Sequence, residues 1–308
     1  MSVRTRAWGV GAQAARRTAR RLGIEVVRRG RYDLVRRDPY SPVPHVEELP
    51  PDTWQRKSPL AGVDLGVDRA LAWVESELAP YLAEFDLPLH GPRPAGEFYV
   101  FNDNYEAVES ELLYAIVRAR RPRRVLELGS GFTTLLIGVA CRRNAADGAT
   151  TEHVAYDPYP RPQVLGGPEP PPPTTLRPIS ATDVPLEAFR ELEAGDVLFV
   201  DTTHTVKVGG EVNRLVLEVL PELAPGVLVH FHDIFLPWNY PREWIEREQY
   251  YWAEQYLLQA FLAFNPTFEV LLPVHVLARE HADRLRRLVP SFAQVGRSGP
   301  NAMWLVKR

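Results

Sequence analysis

Beyond Pro122 the chain alternates short apolar runs, bounded by turn residues, with longer helical stretches, and this alternation limits the fold more than any other feature. The runs predict strands at Arg124–Leu128, His153–Tyr156, Thr175–Ile179, Val197–Val200 and Val227–Phe231, with later strands at Phe268–Leu272 and Ala302–Val306. Helices fit between them at Thr133–Arg143, Leu186–Leu192, Val208–Leu223 and Tyr250–Phe264, the third closed by Pro225-Gly226. Strand, helix, strand in repetition is the pattern of a doubly wound, Rossmann-like α/β sheet. Residues 158–178 are too rich in proline for regular structure over most of their length and are expected to form a surface loop.

Upstream, Leu71, Val74, Leu78 and Leu82, and then Val108, Leu112, Ala115 and Ile116, recur at three- and four-residue spacing. They predict amphipathic helices over Val67–Phe85 and Tyr105–Arg120, an N-terminal helical extension. Between Asp38 and Pro59 proline recurs among polar residues as in a linker. Before it, Arg4 to Arg37 is dense in arginine and reads as a basic, partly helical arm, a candidate contact for an anionic membrane surface or an oligomer neighbour. The expected division is therefore 1–60 (arm and linker), 61–122 (helical extension) and 123–308 (the α/β domain).

The formal net charge of the 308-residue chain is only −3, so nothing global favours a nucleic-acid partner. No apolar run is long enough to span a bilayer, and none before Gly30 resembles the core of a secretory signal. The single cysteine, Cys141, excludes an internal disulfide and a cysteine zinc site, in keeping with a cytoplasmic protein.

The segment Val125 to Thr134 reads as a buried strand running through a glycine turn into a helix. Gly129 and Gly131 permit a tight turn and close backbone approach to a ligand, with Ser130 between them and Thr133 in the following helix. Glu127, at the strand end, would repel a dinucleotide pyrophosphate but suits the ammonium of an amino-acid-like ligand, which favours S-adenosylmethionine over NAD. Asp157 closes the next strand, where an acid can accept hydrogen bonds from ribose hydroxyls. Thr182 and Asp183 follow the third strand, beside the expected adenine position, though either could equally cap the next helix.

The densest chemistry lies at the ends of two later strands, in Asp201-Thr202-Thr203-His204 and His230-Phe231-His232-Asp233. Asp201, His232 and Asp233 offer oxygen and nitrogen ligands for one divalent cation, Mg²⁺ or, given the imidazole, Mn²⁺. His204 is then placed to take a proton from a substrate hydroxyl. His230, two residues before His232, shares its face of the strand and reads as a hydrogen-bonded core histidine. The aromatic run Trp238, Tyr240, Trp244, Tyr250, Tyr251 and Trp252 suits either stacking on an acceptor or helix packing.

At Glu127–Thr134, Tyr156–Pro160, Phe199–His204 and Pro225–Pro237 the sequence resembles the class I S-adenosylmethionine-dependent methyltransferases, in particular the bacterial group related to macrocin-type and other sugar O-methyltransferases. That resemblance, covering about Phe98 to the C-terminus, implies a seven-stranded sheet with an antiparallel last strand and methyl transfer to the hydroxyl of a glycan or small-molecule acceptor. It also implies a metal at Asp201, His232 and Asp233 and a base at His204. Thr133 replaces the usual third glycine of the loop, and His232 stands where metal-dependent relatives carry an acid. Two rivals remain: an iron hydroxylase using His204, His232 and Asp233, and a non-catalytic scaffold whose arginine-rich arm docks to an anionic membrane or a partner and whose cofactor site is degenerate.

Overall fold

The computed structural model describes residues 15, 18–29, 31–91, 93–168, 170–295 and 299–308. Its centre is a seven-stranded sheet of β3 (Arg124–Leu128), β4 (Glu152–Tyr156), β5 (Thr174–Arg177), β6 (Val197–Val200), β7 (Leu228–Phe231), β8 (Phe268–Pro273) and β9 (Met303–Lys307). The spatial order is β5-β4-β3-β6-β7-β9-β8. The pairings among β3 to β7 are all parallel, whereas β9 runs antiparallel to both of its neighbours, as expected for the last strand.

Because β6 and β7 are buried on both faces, each alternates its side chains between two apolar layers. Val197 and Phe199 join a layer with Leu112, Ile116 and Leu136, whose residues come from the helices Glu109–Arg120 and Phe132–Ala146. Leu198 and Val200 join the opposite layer with Leu215, Val219 and Phe189. Strand order reverses at β3, where the chain returns from β5 to place β6 on the other side, and the C-terminal ends of β3 and β6 open a crevice there.

Three regions differ from the sequence reading. The arm is helical over residues 18–21 and then forms an antiparallel pair of β1 (Ile24–Arg29) and β2 (Arg31–Arg36) that the sequence reading does not include; Arg4, Arg16 and Arg17 lie outside the described residues. The hairpin is held by Gln249, which donates from Nε2 to the Val26 carbonyl at 3.0 Å, and by the Arg20–Glu25 ion pair at 2.7 Å. The proline-rich stretch that follows is not a free linker: Trp54 packs on the Phe235, Tyr240, Ile245 cluster and Asn239 donates to the Thr53 carbonyl. Two helices, Val274–Glu280 and Ala282–Leu288, fill the gap between β8 and β9 that the sequence reading leaves unassigned. The loop around 158–178 is irregular over most of its length, as expected; it holds the short helix Pro162–Leu165 and leads into the edge strand β5, where a strand was expected over Thr175–Ile179. Among the described residues no helix is long and apolar enough to cross a membrane.

Candidate active site

Each central strand is extended by one backbone hydrogen bond past its end, and these bonds line up the site. Asp157 N–H donates to the Arg177 carbonyl, Gly129 to Tyr156, Asp201 to Leu128 and His232 to Val200, at 2.9 to 3.1 Å. The residues just beyond β4, β3, β6 and β7 therefore stand side by side on the rim of one cavity of about 880 Å³. The two halves meet at Gly129. Its φ of +95° is a left-handed conformation, and a Cβ there would collide with the Asp201 carbonyl oxygen.

On the loop side, Gly129, Ser130, Gly131, Thr133 and Asp157 all line the cavity, as the sequence reading requires. Asp157 is held in place by the Ser130 hydroxyl at 2.6 Å and the Tyr159 amide at 2.7 Å. Three of the expected cofactor residues, Glu127, Thr182 and Asp183, stand outside the cavity wall. Glu127 does not line the cavity; it is fully buried, accepting from the Thr133 hydroxyl at 2.5 Å and lying 3.1 Å from His153 Nε2. Its carboxylate sits on the side of β3 opposite the neighbours Leu126 and Leu128 and braces the loop through the Thr133 hydroxyl. Thr182 bonds the Ser180 hydroxyl at 2.8 Å, and Ser180 and Ala181 line the cavity where Thr182 and Asp183 do not.

On the other side, four side chains converge. One ligand atom each from Asp201, His204 and Asp233 lies within 4.8 Å of the others. His204 Nε2 is 3.2 Å from Asp201 Oδ1 and 3.4 Å from Asp233 Oδ2, while His232 Nδ1 is 3.5 Å and 3.6 Å from the same two atoms. His204 and Asp233 both adopt left-handed backbone, with φ of 55° and 57°, which turns their side chains into the cluster. His204 thus stands among the residues that could ligate a metal, the place given to it in the iron-site alternative, as well as where a proton acceptor is expected.

Electrostatics follow from this geometry. Burial pulls the His204 imidazolium down, but its bonds to Asp201 and Glu254 and the charge of Asp233 win and raise it to about 10. Burial likewise opposes charge on His232, and the carboxylates of Asp233 and Asp201 overcome it, holding that ring well above its ordinary value. What burial Asp201 has pushes its carboxyl up; His232 and His204 more than offset this and hold it well below the usual range. Asp233 is raised by burial, only partly countered by His232. His230 behaves as the core residue expected: it stacks on Phe199 at 4.0 Å, meets the Tyr105 hydroxyl at 3.2 Å, and burial followed by repulsion from His232 keeps it neutral.

Sequence reasoning missed the groups behind these rings. Glu254, fully buried, accepts from His204 Nδ1 at 2.7 Å; Glu109 lies 3.7 Å from His232 Nε2; Asn301 donates to Asp233 at 2.7 Å. Carboxylates behind imidazoles fix ring orientation and raise basicity, as they do around bound metals. Trp252 tilts over His204 at 4.5 Å, and Trp244 and Tyr250 complete that wall, whereas Trp238 and Tyr240 are buried, so the aromatic run divides between stacking surface and core.

Both ring nitrogens of His232 are buried without a hydrogen-bond partner. An orphaned imidazole beside two carboxylates is the mark of a site built for something more than the chain, and Asp201, His232, Asp233 and His204 fit a divalent cation that tolerates nitrogen ligands.

With this geometry in view, residues 126–234 match a family model described as "Methyltransferase domain". That segment begins on β3 and ends one residue beyond Asp233, so it contains the glycine loop, Asp157 and the whole four-residue cluster. Over those residues the chain is therefore similar to methyltransferase domains. Among solved structures, the chain is similar to the SAH-bound methyltransferase PaMTH1 of Podospora anserina, with 17% identity over 79% of this chain and 95% of that one and a TM-score of 0.39. It is also similar to an O-methyltransferase from Bacillus cereus in complex with SAH, with 16% identity, 77% and 90% coverage and a TM-score of 0.37. No curated protein matches the chain.

Proposed function

We propose that this methyltransferase acts on oxygen, transferring the methyl group of S-adenosylmethionine to a hydroxyl of a sugar-containing or other small-molecule acceptor with the help of a divalent cation. The observation that carries the reading is the convergence of Asp201, His204, His232 and Asp233, with both His232 nitrogens unpartnered, on the same cavity as the glycine loop. The α/β domain of residues 123–308 holds all of this machinery.

Gly129, Ser130, Gly131 and the backbone of Thr133 cradle the amino-acid end of the cofactor, and Asp157 faces its ribose. The Thr133 hydroxyl is occupied by Glu127, which leaves the backbone of this residue for the ligand and makes the missing third glycine tolerable. A cation held by Asp201, His232 and Asp233 would supply Lewis acidity, making an acceptor hydroxyl easier to deprotonate. His204, its Nδ1 anchored on Glu254, directs Nε2 at the same point and receives the proton as the oxygen forms its bond to the methyl carbon and the carbon–sulfur bond breaks. Positive charge set against Asp201 and Asp233 favours the neutral form of this imidazole, the form a base needs. The products are a methyl ether and S-adenosylhomocysteine.

The test is calorimetric titration with S-adenosylmethionine and S-adenosylhomocysteine, with and without Mn²⁺ or Mg²⁺. Saturable cofactor binding, together with one cation bound per chain and lost in Asp233→Asn, is expected. Cofactor binding without any cation binding would remove metal assistance, and absence of both would bring the scaffold reading forward.

A further inference from the structure

We propose that the acceptor site continues beyond the four-residue cluster into a second cavity that binds an oxyanion, phosphate or carboxylate, on a hydroxyl-bearing acceptor; the inference rests on the methyl-transfer reading of the first cavity. The second cavity has a volume of about 830 Å³ and shares Trp244 with the cofactor cavity. It also shares Val295, Gly299 and Pro300 with a cleft whose far wall is His232 and Asp233. A ligand lying in it can thus reach the cluster without leaving the protein surface.

Four guanidinium groups line this cavity, those of Arg242, Arg247, Arg279 and Arg286, against one carboxylate, Glu243. Arg242 and Arg286 are tied to Glu246 at 2.8 Å and Asp283 at 3.0 Å. Arg247 and Arg279 have no carboxylate partner among the described residues; Arg279 lies over the Trp238 ring at 4.2 Å, which holds its planar fork in place. All four are solvent-exposed, and guanidinium groups gathered in this way recognise phosphate and carboxylate through two parallel hydrogen bonds.

His275 adds an independent observation. It is 92% buried, counting from its 8% exposure, and its Nδ1 lies 2.8 Å from the Pro300 carbonyl. A carbonyl can only accept, so the ring proton is on Nδ1 and Nε2 carries a lone pair. That Nε2 is buried and has no partner. Burial, with the positive charge of Arg279 beside it, brings the ring down to about 4 and keeps it neutral. An unanswered acceptor calls for a donor, which an anionic oxygen cannot be and a hydroxyl can. Guanidinium groups that need an anion and an imidazole that needs a hydroxyl together describe an acidic sugar or a sugar phosphate, with Trp54 and Trp244 offering ring faces.

The experiment uses the full chain. S-Adenosylhomocysteine is titrated first, then glucose 6-phosphate, glucuronate and glucose, for the wild type and for Arg247→Gln/Arg279→Gln. At least one of the two anionic sugars is expected to bind tenfold or more tightly than glucose, and the double variant to lose at least tenfold of that affinity while keeping its S-adenosylhomocysteine affinity. Stronger binding of glucose 6-phosphate assigns the anion as phosphate, and stronger binding of glucuronate assigns it as carboxylate. No preference over glucose, or a preference equal in the double variant, overturns the inference. Failure of S-adenosylhomocysteine to bind the wild type counts against the methyl-transfer reading alone, because the sugars are titrated whether or not it binds.

Discussion

Two clusters of acid and histidine sit on the same sheet and have opposite fates. Glu127 and His153, on β3 and β4, are fully buried, and each finds a partner for what it exposes: Thr133 and His153 for the carboxylate, Glu127 and the Thr174 hydroxyl for the ring. Asp201, His204, His232 and Asp233, one or two strands away, border a cavity and leave both His232 nitrogens unanswered. Charged groups that satisfy one another hold a fold together, and charged groups left short of partners are available to a ligand. Residue type alone does not separate the two, since both are carboxylates with imidazoles at strand ends.

Substitutions can break this contrast. Asp233→Asn keeps the shape of the open cluster and removes a charge that either a cation or the two histidines use, so turnover should fall about 10³-fold. Its melting temperature should change little, and thermal unfolding of the same sample gives that control. His204→Gln should cost about 10²–10⁴ in turnover. Measuring its cation affinity sorts the role of the ring: an unchanged affinity makes His204 the base, whereas a loss parallel to that of activity makes it a ligand.

The sealed cluster should answer in the other currency. Glu127→Gln leaves a buried donor from Thr133 or His153 poorly matched and should lower stability by about 1–3 kcal/mol, read from denaturant unfolding. A large drop in turnover with normal stability would reverse the contrast and restore Glu127 as a direct ligand contact.

His275 offers a pH test of the same distinction. Its pKa is near 6.5 when exposed and about 4 in the fold. Between those values the unfolded chain binds the extra proton, so stability is complete above about pH 6.5 and declines as pH falls toward 4, by about 3 kcal/mol in all. His275→Gln should flatten that slope; an unaltered slope would mean that other groups set it.

Much of the fold can be read from the chain because buried parallel strands announce themselves. Arg124–Leu128 and Val197–Val200 were legible to the residue, each a short apolar run cut by turn formers. The hairpin at 24–36 was hidden by its arginine doublets, whose charge obscures the alternation of Ile24, Val26 and Leu34. The helices at 274–288 are broken at His281, and neither half is long enough to show a full amphipathic period. Within the site, Asp201, His232 and Asp233 were visible because each lies just past its own strand. Glu109 and Glu254 were not, since their importance arises only when distant helices bring them behind His232 and His204. The partners of Glu127 were hidden for a similar reason: strand position gives the depth of a side chain along the sheet but not which neighbour will claim it.

The contact between Gly129 and the Asp201 carbonyl makes the cofactor loop and the ligand-bearing strand one mechanical part. Neither can shift without pushing on the other, so a ligand that settles one settles both. Whatever free energy an acceptor-side occupant lends to cofactor affinity, the cofactor must return in equal measure. The order in which the two arrive is thereby left free, while their affinities are bound to each other through the absence of a single methyl group.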